Sequence, residues 1–171
     1  MAIETGKGLI EIEIAQGRAP ITSANFLRYV DEGLYNNTSF YRTVTPSNQP
    51  DNLVKIEVIQ GGLGIAQLIE GKAKHPPIEL ERTSVTGLQH LDGTISMARL
   101  GVDSATSEFF ICINDQPELD FGGKRYPDGQ GFAAFGQVVS GQNVVRRIQQ
   151  APAEGQNFKP PIAILSIKRL D

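Results

Sequence analysis

An arginine, a glutamine and a run of small residues feeding two aromatics are the parts of this chain whose types and spacing could do chemistry. Arg42 closes Phe40-Tyr41-Arg42, and Gln60 opens Gln60-Gly61-Gly62. Farther on, Gly93-Thr-Ile-Ser-Met-Ala-Arg99 runs into Asp103-Ser-Ala-Thr-Ser-Glu-Phe-Phe-Ile111. A small-residue strand, then a Ser/Thr/Ala turn that delivers two phenylalanines into a second strand, would set an aromatic floor beside an exposed backbone edge. With Arg42 and Gln60 next to it, that floor becomes a slot with an apolar base and one fixed cation. Chemistry there is electrostatic. A guanidinium stays charged and its fork is stiff, so it stabilises charge that develops in a strained state and forms no bond itself.

Other chemistries find less support. Gln60-Gly61-Gly62 is not a phosphate loop, because no Lys-Ser/Thr pair follows it. Cys112, the one cysteine, sits inside Phe-Phe-Ile-Cys-Ile. It cannot form an internal disulfide and nothing beside it would polarise the thiol, so it reads as a small buried apolar residue. His75 precedes two prolines and His90 precedes a turn, with no spacing that suits zinc. Asp115, Glu118 and Asp120 lack the regular calcium-loop pattern and read as a solvated acidic loop. Arg42 has a plain alternative too, an ion pair on a strand surface. Phe109 and Phe110 are adjacent, so on a strand they point to opposite faces; we assign Phe110 to the slot and Phe109 to the core.

Short strands must position these groups. Leu9 to Ile14 alternates, with Ile10, Ile12 and Ile14 facing inward. Ala19-Pro20 opens a helix on which Phe26, Leu27, Val30 and Leu34 share a face, and Gly33 ends it. Thr38 to Val44 is a strand with Phe40 and Arg42 on one face and Tyr41 on the other. Thr45 to Asn52 is loop, and Lys55 to Gln60 is a strand. Gly71 to Gly87 is mostly loop. Strands follow at 94–99, 108–113 and 133–138, with a long Gly/Asp/Pro loop over 114–131. Val144, Val145 and Ile148 mark a second helix, with Ser140 as its cap. Residues 151–161 read as loop, and a final strand alternates Leu165 and Ile167 with Ser166 and Lys168. With 18 glycines and 10 prolines, turns are frequent, which suits a barrel or a sandwich. A closed barrel removes exposed edges, and two amphipathic helices could plug its ends.

The chain has 171 residues, 40% hydrophobic and 20% charged, with a formal net charge of −3. That is the size and make-up of one globular domain over 1–171. No basic run appears, so nucleic acid is not an expected partner. The longest apolar runs fall far short of the ~20 residues of a membrane span. No charged-then-apolar segment opens the chain, which fits the cytoplasm, or the periplasm if a leader upstream has been removed. The apolar fraction gives no reason to expect more than a monomer.

At this point the residues resemble a family, the cyclophilins, which are peptidyl-prolyl cis-trans isomerases. Tyr35-Asn-Asn-Thr38, Ser104-Ala-Thr-Ser107 and Gly131-Phe-Ala-Ala-Phe-Gly136 are similar in order and spacing to motifs of the bacterial branch, across 8–170. The resemblance implies a mainly β fold: a closed eight-stranded antiparallel barrel capped by two α-helices, with the active groove on its outer face. It implies no cofactor and no metal, and proline-containing peptides and unfolded proteins as partners. Arg42 matches the family's catalytic arginine and Gln60 its groove glutamine. Val58 stands where Met is common. Ala98 and Arg99 match the strand whose backbone pairs with the peptide. Phe110 matches the floor of the proline pocket, Leu119 its aliphatic wall, and Phe40 joins the substrate-binding set with Arg42. Departures are Glu57 for the usual Phe, Glu108 for Gln, Glu118 for an aromatic, and Phe132 for His or Tyr. Residues 45–55 look like an insertion that reshapes one rim.

The implied activity is rotation about X-Pro bonds during folding. Phe110, Val58, Leu119 and Phe132 would hold the ring while Gln60 steadies the swinging carbonyl. A second reading is a proline-peptide-binding or chaperone module on the same barrel with little catalysis. Its motive is that Glu57, Glu108 or Glu118 could pair with Arg42 and blunt it. The same glutamates predict that peptides with Lys or Arg near the proline outperform acidic ones.

Overall fold

Every strand of the computed structural model runs antiparallel to its neighbours, and the first pairs with the last. The structure describes residues 1–66, 70 and 73–170. Its elements are β1 (Ala2–Thr5), β2 (Gly8–Ile14), α1 (Pro20–Asp31), β3 (Thr38–Val44), β4 (Val58–Gly62), α2 (Thr83–Thr86), β5 (Thr94–Met97), β6 (Phe109–Cys112), β7 (Ala133–Ser140), α3 (Gln142–Gln149), β8 (Ala153–Glu154) and β9 (Asn157–Lys168). Around the ring the order is β1-β2-β7-β5-β6-β4-β3-β9, and the β1–β9 pairing closes it. Eight strands therefore make the barrel, and β8 is a two-residue addition that hairpins onto β9.

Alternating side chains fill the interior. Ile3, Ile10, Ile12, Phe40, Ile59, Ile95, Phe109 and Ile164 are buried in one cluster. Helix α1 adds Phe26 and Tyr29 to it, and α3 adds Val144, Val145 and Ile148. Each such side chain contributes roughly 1.5–3 kcal/mol on burial, so the helices are held by their apolar faces. A third helix, α2, is a single turn between them. Among the described residues no helix is long and apolar enough to cross a membrane.

Three local expectations need correction. The cap of α3 is Gly141, at φ 89°, and not Ser140. A Cβ at position 141 would lie 2.4 Å from the Leu9 carbonyl oxygen, so this turn requires glycine. The last strand begins at Asn157, well before Leu165. Pro160 and Pro161 hid it, and they sit where the β3–β9 ladder lapses between the pairs Arg42↔Asn157 and Phe40↔Ile162. Leu165 does not face the core beside Ile167. The β1–β9 register skips it, pairing Thr5 with Ile164 and Glu4 with Ser166, and it is left 45% exposed.

Candidate active site

Period-two alternation gives the β4–β6 wall a second apolar surface, on its outside. Along β4, Ile59 faces the interior and Val58 the exterior; along β6, Phe109 and Ile111 face in, and Phe110 and Cys112 face out. The outward set, Val44, Ile56, Val58, Ala98, Phe110, Cys112, Leu119 and Phe132, forms its own cluster with Tyr126 against it. Over it lies a cavity of about 250 Å³. The cavity brings together Arg42, Gln60, Val58 and Phe110 with Leu119, Phe132, Ala98 and Arg99. A wider cleft of about 580 Å³, bordered by Glu13, Arg18, Leu88 and Gln137, gathers no comparable set.

Phe40 does not join them. It is fully buried inside the barrel, edge-on to Phe109 at 5.8 Å. The reason is a β-bulge. Phe40 lies opposite Gly61 and Arg42 opposite Gln60, so Tyr41 is an extra residue in β3. A bulge re-aims the side chains around it, and here both Tyr41 and Arg42 meet Gln60 on the outer face. Simple alternation puts Tyr41 on the wrong side.

Among the described residues, Arg42 is held by neutral oxygens alone. Its Nε and Nη2 donate to Gln156 Oε1 at 2.9 and 2.7 Å, and its Nη1 donates to Gln60 Oε1 at 2.8 Å. Burial lowers its pKa, but a guanidinium begins so high that it stays charged. Among the described residues no carboxylate forms a salt bridge with it. Gln60 passes the interaction on: its Nε2 donates to Tyr41 Oη at 2.8 Å, and the Tyr41 hydroxyl donates to Glu108 Oε2 at 2.6 Å. Ser107 Oγ and the Gly64 N–H also donate to Glu108. Burial raises the Glu108 carboxyl above its ordinary range. Burial, with Glu108 alongside, pushes the Tyr41 phenol far up. Gly62, at φ 144°, makes room for that carboxylate, since a Cβ there would come within 2.7 Å of it.

The floor is braced from two sides. His90 stacks on Phe110 at 5.9 Å, and Phe132 meets Phe110 edge-on at 5.6 Å. His90 is itself fixed, with Nδ1 2.7 Å from Asp120 Oδ1 and Nε2 2.9 Å from Ser96 Oγ. Ser96 is fully buried, so this Ser-His-Asp line supports the ring and cannot attack a substrate. Burial likewise pushes the Cys112 thiol up, away from the nucleophilic thiolate. Beyond the end of β5, the Ala98 N–H is bonded to the Glu108 carbonyl. The Ala98 carbonyl and the Arg99 N–H make no hydrogen bond among the described residues, leaving a short edge for an extended peptide.

Arg99 contributes in a different way. Its Nη1 and Nη2 grip Asp128 at 2.8 and 2.9 Å, and its Nε donates to the Gly131 carbonyl. The guanidinium lies over the Tyr126 and Phe132 rings at 4.5 and 5.0 Å. The three glutamates suspected of blunting Arg42 do not border the cavity. Glu57 accepts from Asn114 and Gln149, Glu118 from the Lys124 N–H, and Glu108 from Tyr41.

Four groups escaped the sequence reading. Gln156 sits at the β8–β9 turn, opposite its sequence neighbourhood's apparent loop. Tyr41 was assigned to the other face. Arg125 and Tyr126 lie in the long loop before β7, where no period marks them. Tyr126 supplies aromatic wall on the rim, edge-on to Phe132 at 5.8 Å, and its hydroxyl bonds the Leu100 carbonyl. The 45–55 segment does shape the rim: buried Gln49 takes a hydrogen bond from Arg125 Nη1 at 2.8 Å.

Comparison with known proteins bears on all of this. A family model described as cyclophilin type peptidyl-prolyl cis-trans isomerase/CLD matches residues 1–169. The chain is 38% identical to peptidyl-prolyl cis-trans isomerase A of Dickeya dadantii, covering 97% of this chain and 82% of that one. It is 37% identical to peptidyl-prolyl cis-trans isomerase B of Escherichia coli, covering 87% and 83%. It is 34% identical to the isomerase cyp18 of Streptomyces antibioticus, covering 98% and 96%. Among solved structures, a Cryptosporidium parvum cyclophilin crystallised with the dipeptide Ala-Pro superposes with a TM-score of 0.77 at 21% identity, covering 99% and 98%. That last likeness is one of fold.

Proposed function

The chain belongs to the cyclophilin-type peptidyl-prolyl cis-trans isomerase family, and from that premise we propose how its outer cavity turns an X-Pro bond. The enzyme catalyses rotation about that bond. The difficulty is resonance: the amide nitrogen shares its lone pair with the carbonyl, and the rotational barrier is about 18–20 kcal/mol. Cis and trans X-Pro forms differ by only about 0.5–1 kcal/mol, and unaided exchange takes about 10–100 s. No bond need form or break. The cavity must favour the twisted amide over both planar forms.

In the twisted state the lone pair localises on nitrogen. The Arg42 guanidinium, held by Gln60 and Gln156, stabilises it. Because neutral oxygens hold it, its field is not cancelled locally, and the apolar floor excludes water that would screen it. Phe110, Val58, Leu119 and Phe132 pack on the pyrrolidine. Gln60 steadies the carbonyl in front of it, and the free edge at Ala98 and Arg99 pins the peptide backbone. The single observation that carries this reading is an uncompensated guanidinium beside an aromatic-floored cavity.

Its substrates are proline-containing peptides and unfolded chains. The reading treats 1–171 as one domain acting as a monomer, without nucleic acid or membrane. The peptide-binding alternative rested on a glutamate paired with Arg42, and among the described residues none is. Exchange NMR on an Ala-Pro peptide tests the assignment. Arg42→Ala is expected to lose most of the turnover, and a variant as fast as the parent would remove Arg42 from the mechanism.

A further inference from the structure

The charge on the cavity wall is one-sided. Among the described residues three guanidiniums border it, those of Arg42, Arg99 and Arg125, and no carboxylate does. Asp128 neutralises Arg99 through a bidentate grip. Arg42 and Arg125 have no such partner among the described residues. The two N–H groups of Arg125 Nη1 go to Gln49 Oε1 at 2.8 Å and the Val54 carbonyl at 2.7 Å, both neutral. Its Nε and Nη2 make no hydrogen bond among the described residues, and the side chain is half-buried and borders the cavity. Burial lowers the Arg125 pKa, and the Arg42 charge on the same cavity wall adds to that lowering.

Two like charges held together on an apolar rim cost free energy unless something anionic comes between them. The rim that holds Arg125 is built for it: Gln49 is buried and also bonds the Thr45 and Ile56 carbonyls. At about 3.5 Å per residue of extended chain, a peptide whose proline ring rests on Phe110 carries its neighbours along that rim. We propose that Arg125 is a specificity-determining residue, and that the groove favours peptides with an aspartate or glutamate within two residues of the proline. This rests on the isomerase reading above and reverses the preference that Glu57, Glu108 and Glu118 suggested from sequence.

The test is a peptide panel in which Glu, Gln or Lys occupies each of the two positions before and after an Ala-Pro pair. Turnover is read by exchange NMR and binding by chemical-shift titration. At about 10 mM salt, where the screening length is about 30 Å, the best-placed Glu peptide is expected to exceed its Lys counterpart in kcat/KM by about three- to fivefold, the size of effect a partly exposed charge pair supports. At about 1 M salt, with a screening length of about 3 Å, the gap should close. Arg125→Gln should bring the Glu-to-Lys ratio close to one, whatever it does to the absolute rates, and Arg125→Lys should keep part of it. Equal rates for Glu and Lys at every position in low salt, or a ratio that survives Arg125→Gln, would overturn the proposal. If Arg125→Gln misfolds, Arg125→Lys, read against the salt series on the parent protein, decides the matter: a Glu-to-Lys ratio identical to the parent's at every salt concentration would overturn the assignment to Arg125. A parent that binds the Glu peptides best yet isomerises none would uphold the charge preference and sink the isomerase reading instead.

Discussion

Arg42 and Arg99 border the same cavity and are held in opposite ways. Arg99 has a bidentate carboxylate, a backbone carbonyl and two aromatic faces. Arg42 has the oxygens of two side-chain amides. A carboxylate cancels the field of the cation it holds, while an amide dipole positions the cation and leaves most of its field in place. Arg99 is thus a strut between β5 and the long loop before β7, and Arg42 keeps its charge available to the cavity. Arg99 is buried and Arg42 half-buried, so neither charge is fully screened by solvent.

The contrast breaks most sharply at Arg42. Arg42→Ala is expected to lower kcat/KM by about 10²- to 10³-fold, the usual loss for one preorganised electrostatic group. Arg42→Lys, which keeps the charge but not the fork, should recover only part of it. Arg99→Ala should show the reverse pattern, a smaller fall in turnover and a lower melting temperature. A loss of about 2 kcal/mol from the stacked, paired guanidinium corresponds to about 4–8 °C for a domain of this size. Calorimetry beside the rate assay separates the two signatures, and equal signatures would erase the distinction between strut and charge.

Glu108 sharpens the comparison, because it meets Arg42 only through Tyr41 and Gln60. Burial holds its carboxyl above the ordinary value of 4.5. Between that value and the raised one, the folded chain keeps a proton that the unfolded chain has lost. The stability tied to this group is therefore complete below about pH 4.5 and drains away as pH rises through the raised pKa. Glu108→Gln should melt higher than the parent at pH 7, with the gap narrowing toward pH 4. A gap that widens on acidification would reverse the assignment. The smallest effect is expected at Glu57. Its carboxylate is bound to Asn114 and Gln149 outside the cavity, so Glu57→Gln should leave the ratio of rates for Glu- and Lys-flanked peptides unchanged within error.

Much of the site was legible because the motifs resemble those of the cyclophilins, and strand alternation explains why the residues so matched share one face. The period of two along Val58, Ile59 and Gln60, and along Phe109 and Phe110, is enough to put the floor and the groove glutamine outside and their neighbours inside. It fails where the period itself breaks. The bulge at Tyr41 buries Phe40 and turns Tyr41 outward, and no residue type in Phe-Tyr-Arg announces it. The lapse that accommodates Pro160 and Pro161 concealed half of β9 for the same reason. Arg125, Tyr126 and Gln156 lie in turns, where position follows from tertiary hydrogen bonds and not from spacing. The acidic departures show the converse. Glu57, Glu108 and Glu118 were noticed at once, but a residue's type does not say which partner has already claimed it.

The seam between β1 and β9 pairs residues 2–5 with 164–168. Contacts of such sequence separation demand the largest loop closures a chain of this length can make, and folding rate falls as they accumulate. During synthesis β1 would emerge with one flank unpaired, and it would stay so until β9 was made. A catalyst of slow steps in other chains must itself wait for β9 before its own cylinder can shut.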